Sequence, residues 1–206
     1  MRARDLMTRP VVTVTRETTA KHAAEVLAEH GFTALPVVDE YDCLVGIVTE
    51  ADLIRDRFPR DIRYAGLPEG RTEPGATVAA VMTVPATAMS AGADLAEVGR
   101  ALLDGKIRAM PIVDGERVVG ILTRGDFVRA FARADTAIAA SVRQHLAVYG
   151  GPDRWTVEVR DGVCRIGDQY GNERDHHVAK VIAEGIPGVV AAEVNRQEDG
   201  AESREW

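Results

Sequence analysis

The chain is predicted to be an α+β protein, built from two pseudo-twofold βαββα units and a smaller αββαβ domain. Three observations predict this. One stretch of the chain occurs twice. Its strand-like runs are apolar almost without alternation and are joined by turn residues. Beyond Phe131 the pattern changes to an alternating hairpin set between two helix-like segments, with a last strand after them.

The duplication comes first. The segment DLMTRPVVTV, followed by TAKHAAEVLAEHGFTALPVVDEYDCLVGIVTEADLIRD, is matched by AAVMTVPATAM followed by ADLAEVGRALLDGKIRAMPIVDGERVVGILTRGDFVRA. Met7 and Thr8 correspond to Met82 and Thr83, Pro10 to Pro85, Ala34 to Ala109, Pro36 to Pro111 and Asp39 to Asp114. One residue is then lost in the turn, after which Gly46, Thr49 and Asp52 match Gly120, Thr123 and Asp126.

Each copy opens on a short strand, residues 11–14 and 87–89. A helix follows with apolar residues three or four apart: Ala20, Ala23, Ala24 and Leu27 in one copy, Leu95, Val98, Gly99 and Leu102 in the other. Two strands come next, 35–38 and 44–48, with counterparts 110–113 and 118–122. Their connections DEYDC and DGER carry the Asp and Gly that hairpin turns favour. A second helix begins after Thr49 and after Thr123. One copy alone buries too little surface to be stable, so the two are expected to pack sheet against sheet. The run PRDIRYAGLPEGRTEPGA between them, rich in Pro, Gly and charge, reads as a linker over 57–76.

After the second copy, a helix from about Asp135 carries Ile138, Val142 and Leu146 at fourfold spacing and ends near Gly150. Residues 155–159 and 163–166 alternate around an Asp161-Gly162 turn, giving a hairpin. A further helix carries Val178, Val181 and Ile182, and Pro187-Gly188 leads into a last strand, 189–194. The expected organisation is therefore a first copy over 1–56, the linker, a second copy over 77–132, a third domain over 135–198 and a tail over 199–206.

Composition excludes several function classes. A net charge of −7 lacks the basic footprint of a nucleic-acid binder and gives no attraction to anionic lipid. The basic N-terminus is not followed by an apolar run, so neither export signal nor spanning helix is expected and a cytoplasmic location is the default. Cys43 and Cys164 are isolated in strand-like runs and read as small buried hydrophobes. His176 and His177 are adjacent, point to different helix faces and read as surface residues, not as a metal site. No Ser/His/Asp set and no GxxxxGK loop occurs, so no enzyme and no required cofactor or metal is expected.

The ordered pattern of an apolar residue, Pro-Val-Val-Asp or its like, a turn, and then Gly-x-x-Thr-x-x-Asp resembles the cystathionine-β-synthase (CBS) domain, in both copies and over nearly their full length. The resemblance implies a CBS pair with two clefts, which in many members bind adenosine-containing ligands such as AMP, ADP, ATP or S-adenosylmethionine. On that basis Asp52 and Asp126 suit a ribose diol, and the hydroxyls of Thr49 and Thr123 suit phosphate beside a helix start. Thr-x-x-Asp before an apolar helix is equally a capping box that needs no ligand.

The copies differ in charge. Arg108 and Arg124 in the second suit phosphate oxygens or are solvated surface charges; Thr33 and Glu50 hold the matching places in the first. The resemblance implies that the Asp126 cleft also draws Val12, Phe32 and Thr33 around the base, and that the Asp52 cleft draws Thr87 and Ile107. The principal site is expected at Thr123, Asp126, Arg108 and Arg124. CBS modules commonly pair, so a homodimer is expected.

The hairpin V-x-V-x-D-G-V-x-x-I-G from Val157 to Gly167, and the later turn G-I-P-G-V-V from Gly185 to Val190, resemble a BON domain. Cys164 and Arg165 depart from its plainer apolar alternation. The resemblance implies a phospholipid-binding or protein-interaction arm, and acid exceeds base after Thr136. Together these expectations describe a regulatory protein that senses an adenine nucleotide and does not bind nucleic acid. The alternative is an interaction protein whose clefts are vestigial.

Overall fold

Capping residues set the element boundaries in the first part of the chain. After α1 (Ala3–Leu6), α2 (Ala20–His30) starts at Thr19, whose hydroxyl accepts from the His22 amide, and stops at Gly31 with φ 64°. β1 (Ala34–Val38) pairs antiparallel with β2 (Leu44–Thr49), and α3 (Glu50–Ile54) follows β2 without a break. The second copy repeats the series: α4 (Val78–Val81), β3 (Met89–Ser90), α5 (Leu95–Asp104) capped by Asp94, β4 (Ala109–Asp114), β5 (Arg117–Thr123) and α6 (Arg124–Phe131). The structure, a computed structural model, describes residues 1–55, 57–58 and 76–197. The predicted linker, apart from its ends, and the tail with Trp206 lie outside the described residues.

The chain divides into two compact units, Arg2–Arg124 and the residues from Gly125 onward. In the first, both faces of β1 are buried from Ala34 to Val38, which is why its sequence does not alternate. Leu35 and Val37 join Val14, Ala20, Ala23, Leu27, Val48 and Leu53 in one core. The predicted strand at 11–14 is reduced to one parallel bridge between Val14 and Val37, whereas its counterpart β3 pairs with β4 over two residues. Ala24, expected on the buried face of α2, is exposed, and Val26 packs against the core instead. The four-residue α1 and α4 carried no periodic signal because each is a single turn.

The copies are tied together by exchanged pairings. Thr8 bridges Ile121 and, at the equivalent place, Thr83 bridges Ile47. Leu44 N–H donates to Glu116 O at 2.9 Å, and Val118 N–H donates to Asp42 O at 3.0 Å. This explains the repeated Gly and Met. A Cβ on Gly46 would lie 2.9 Å from Met82 Sδ and 3.2 Å from Thr83 O; a Cβ on Gly120 would lie 2.8 Å from Met7 Cγ. Each glycine is the seat of the other copy's methionine. Gly120→Val is expected to lower unfolding free energy by about 1–3 kcal/mol. Denaturant titration would show it, with part of the loss recovered when Met7→Ala is combined with it.

In the second unit α7 (Asp135–Gly150), β6 (Trp155–Arg160), β7 (Val163–Asp168), α8 (Glu173–Glu184) and β8 (Ala191–Arg196) follow in αββαβ order. The sheet order is β6-β7-β8, antiparallel then parallel. Ile138, Val142 and Leu146 of α7 are buried against Trp155, Val157, Cys164 and Ile166 of the hairpin. Asp161 (φ 49°) and Gly162 (φ 77°) form the two-residue turn, and the Asp135 carboxylate accepts from both of their amides at 2.8 and 3.0 Å. The inner face of α8 differs from the expected one: Ala179 and Ala183 are buried and Val181 is exposed. The last strand runs two residues later than predicted, as Ala191–Arg196.

Candidate functional site

The strand ends of the two copies converge on a cavity. In copy one the Glu50 amide donates to Thr33 O at 3.2 Å; in copy two the Arg124 amide donates to Arg108 O at 3.2 Å. Each bond closes the end of a hairpin, so the residue before the first strand lies beside the residue after the second. A cavity of about 540 Å³ opens among these ends. Its wall takes Thr33, Thr49, Glu50, Ala51 and Ile54 from copy one, and Thr87, Lys106, Ile107 and Arg108 from copy two, with Ile47 and Thr83 between them. That size and mixture of apolar wall with a few polar groups fits a small-molecule site.

Thr49, Thr87 and Ile107, expected at the Asp52 cleft, come together there with Thr33 and Arg108, which the sequence reading had assigned to the Asp126 cleft. Glu50 and Lys106 join them; Lys106 carried no signal because it sits at φ 52° in the turn after α5 rather than in a motif. Across the cavity Arg108 Nη1 stands 3.9 Å from Glu50 Oε2, with both side chains at least half exposed. A pair so exposed contributes little to stability. Its importance is that the cavity's Arg108 already faces an acid.

The Thr-x-x-Asp motif of copy one is closed upon itself. Asp52 Oδ2 accepts from the Thr49 amide at 3.0 Å and from its hydroxyl at 2.8 Å, while the Asp52 amide donates to Thr49 Oγ1 at 3.3 Å. This is the capping box considered in the sequence, and Asp52 is not on the cavity wall.

The remaining sequence candidates lie elsewhere. Arg124 donates from Nε to Ile107 O at 2.9 Å and from Nη2 to Leu102 O at 2.8 Å, so its guanidinium satisfies carbonyls at and beyond the end of α5. Asp126 is buried and pairs with Arg129 one turn along α6. Thr123 ends β5. Val12 and Phe32 pack against the copy-one core, Phe32 stacked on His30.

A second concentration of charge lies in the C-terminal unit. Asp168, fully buried at the end of β7, is held by Arg154 through Nε at 2.7 Å and Nη2 at 3.0 Å. Arg154 Nη2 also reaches Asp175 at 2.6 Å, and Tyr149 OH donates to the same carboxylate at 2.8 Å. The Arg154 fork, helped by the Tyr170 and Asn172 amides, overcomes burial and holds the Asp168 carboxyl at about 2. His176, expected on the surface, is mostly buried, with Nε2 3.2 Å from Asp168 Oδ2 but off hydrogen-bond geometry. His177 is exposed, as two neighbours on a helix must diverge.

Other chemistry is sparse among the described residues. No group of three His, Cys, Asp or Glu side chains could hold a metal, and no helix is long and apolar enough to cross a membrane. Cys164 is buried in the second core, and burial pushes its thiol up to about 11. Burial, with Asp39 and Glu116 nearby, raises the Cys43 thiol too. Neither is an activated thiolate.

Comparison with known proteins adds to this geometry. The CBS domain family model matches residues 3–57 and 78–133. A protein of Methanocaldococcus jannaschii, MJ1404, is 29% identical over 143 residues, covering 68% of this chain and 34% of its own. The Arabidopsis thaliana chloroplast protein CBSX2 is 33% identical over 132 residues, 55% of each chain. The chain thus spans about a third and about half of these two relatives. A crystal structure of CBSX2 in complex with AMP superposes with a TM-score of 0.53 at 31% identity, covering 63% of this chain and 94% of that one. The CBS domain pair of protein MJ0100, in complex with 5′-methylthioadenosine and S-adenosyl-L-methionine, has a TM-score of 0.53 at 26% identity, covering 64% and 95%.

Proposed function

The chain belongs to the CBS domain family, and from that premise we propose that its first unit is a regulatory module that senses an adenosine-containing ligand in the cavity between its two copies. The observation that carries this reading is the cavity itself, lined by Thr33, Thr49, Thr87, Ile107 and Arg108 from both copies. The AMP held by CBSX2, and the methylthioadenosine and S-adenosylmethionine held by MJ0100, support the ligand class. Apolar Ile107, Ile54 and Ile47 would flank the base, the hydroxyls of Thr33 and Thr87 would meet the ribose, and Arg108 would take the phosphate or carboxylate end. Because the wall is drawn from both copies, a ligand that fits one arrangement better than another would bias their relative placement. Thr123, at the end of β5, would mark a second, pseudo-equivalent site, the one the sequence ranked first. We read the αββαβ unit as a BON-like arm that carries the response to a protein or phospholipid partner.

One observation favours the vestigial alternative. Both partners of the copy-one Thr-x-x-Asp motif are already consumed in a cap. Calorimetry and thermal unfolding of the full chain with AMP and S-adenosylmethionine separate the two readings. Binding is expected to stabilise the first unit by about 2.7 kcal/mol at a hundredfold excess over Kd. Arg108→Ala is expected to weaken AMP about tenfold while leaving the unliganded midpoint unchanged. Absence of heat and of any shift with every adenosine compound would leave the clefts as packing features only.

A further inference from the structure

The cavity has an unusual charge arrangement for a phosphate site. Its cations are Arg108 and Lys106, and Glu50 stands among them, 3.9 Å from Arg108. Nor does the backbone beside it offer much to an anion. The Thr49 amide is bound by Asp52, and α3, only five residues long, lends little field. Among the described residues of the wall, negative charge on a ligand is therefore met by two side chains, one of which must first be released by an acid.

We propose that Glu50 makes this cavity a charge filter, admitting adenosine ligands with no more than one phosphate and excluding polyphosphates. The inference rests on the adenosine reading above and names the ligand class within it. A single phosphate can exchange with Glu50 for Arg108 and use Lys106 as its second partner. Each further phosphate adds charge that no third cation among the described residues of the wall meets, close to a carboxylate that remains. A neutral nucleoside or a sulfonium is not penalised, since the acid then keeps its arginine.

The test is calorimetry of the full chain with adenosine, AMP, ADP and ATP, in the natural sequence and in Glu50→Gln. In the natural chain affinity should fall from AMP to ATP by about tenfold. Glu50→Gln should raise ATP affinity about tenfold, with adenosine changed by less than about twofold. The Glu50 effect should vanish in a Thr87→Trp background, where an indole occupies the cavity. ATP binding at least as tightly as AMP in the natural chain would overturn the filter alone. So would an AMP-to-ATP ratio unmoved by Glu50→Gln, or an effect that persists with Thr87→Trp. No heat from any of the four compounds would remove the adenosine reading, and the filter with it.

Discussion

Arg154→Ala is expected to destabilise the C-terminal unit by about 3–5 kcal/mol, the cost of stripping a buried carboxylate of its counter-ion. Arg154 is 12% exposed and Asp168 0%, so water cannot replace the lost fork. The guanidinium also lies 4.3 Å from the Trp155 ring centroid, a contact that alanine removes as well. Arg154→Lys should recover only part, because one ammonium cannot reproduce two parallel bonds to Asp168 and reach Asp175. Denaturant unfolding followed by Trp155 fluorescence reports the change, and a loss below about 1 kcal/mol would contradict this account.

The same cluster sets an acid limit. The Arg154 fork holds the Asp168 carboxyl at about 2 in the folded chain, well below the ordinary aspartate range. A depressed carboxyl contributes its stability fully above the unfolded value and loses it as pH falls toward the folded one. Over that interval the unit should lose about 2 kcal/mol from this group. Asp175, lowered mainly by its hydrogen bond from Arg154, acts in the same direction. Unfolding free energy measured between about pH 5 and pH 2 should fall in the natural chain and much less in Asp168→Asn.

Leu35→Ala and Met110→Ala should each cost the first unit about 3 kcal/mol, within the 2–5 kcal/mol range for buried truncations. They occupy equivalent positions on β1 and β4, are 1% and 0% exposed, and sit where neither strand has a solvated face to collapse toward. Chemical denaturation of the two variants checks this. A loss below 1 kcal/mol at one position only would mean that the copies do not share one packing scheme.

Much of this architecture was legible because duplication makes two weak patterns confirm each other. Gly46 with Gly120, and Thr49 with Thr123, align without any structural knowledge. What was not legible is direction. Arg108 stands just before a strand, outside its alternation, so spacing suggests the end of the sheet it occupies but not the cavity it lines. Arg124 reads alike whether it faces a ligand or the carbonyls of Leu102 and Ile107, since those lie 22 and 17 residues away. In α8 the alanines at 179 and 183 are buried and Val181 is not, because close packing of the helix on the sheet favours small residues. His176 lies in a polar run, and nothing local announces the Asp168 carboxylate beside it.

The exchanged pairings of Thr8 with Ile121 and of Thr83 with Ile47 have a consequence for how the first unit is owned. Each copy finishes its partner's sheet edge and receives its own finish in return, as two hands clasp. Integrity therefore resides in the handshake, and a change at either grip is felt on both sides at once.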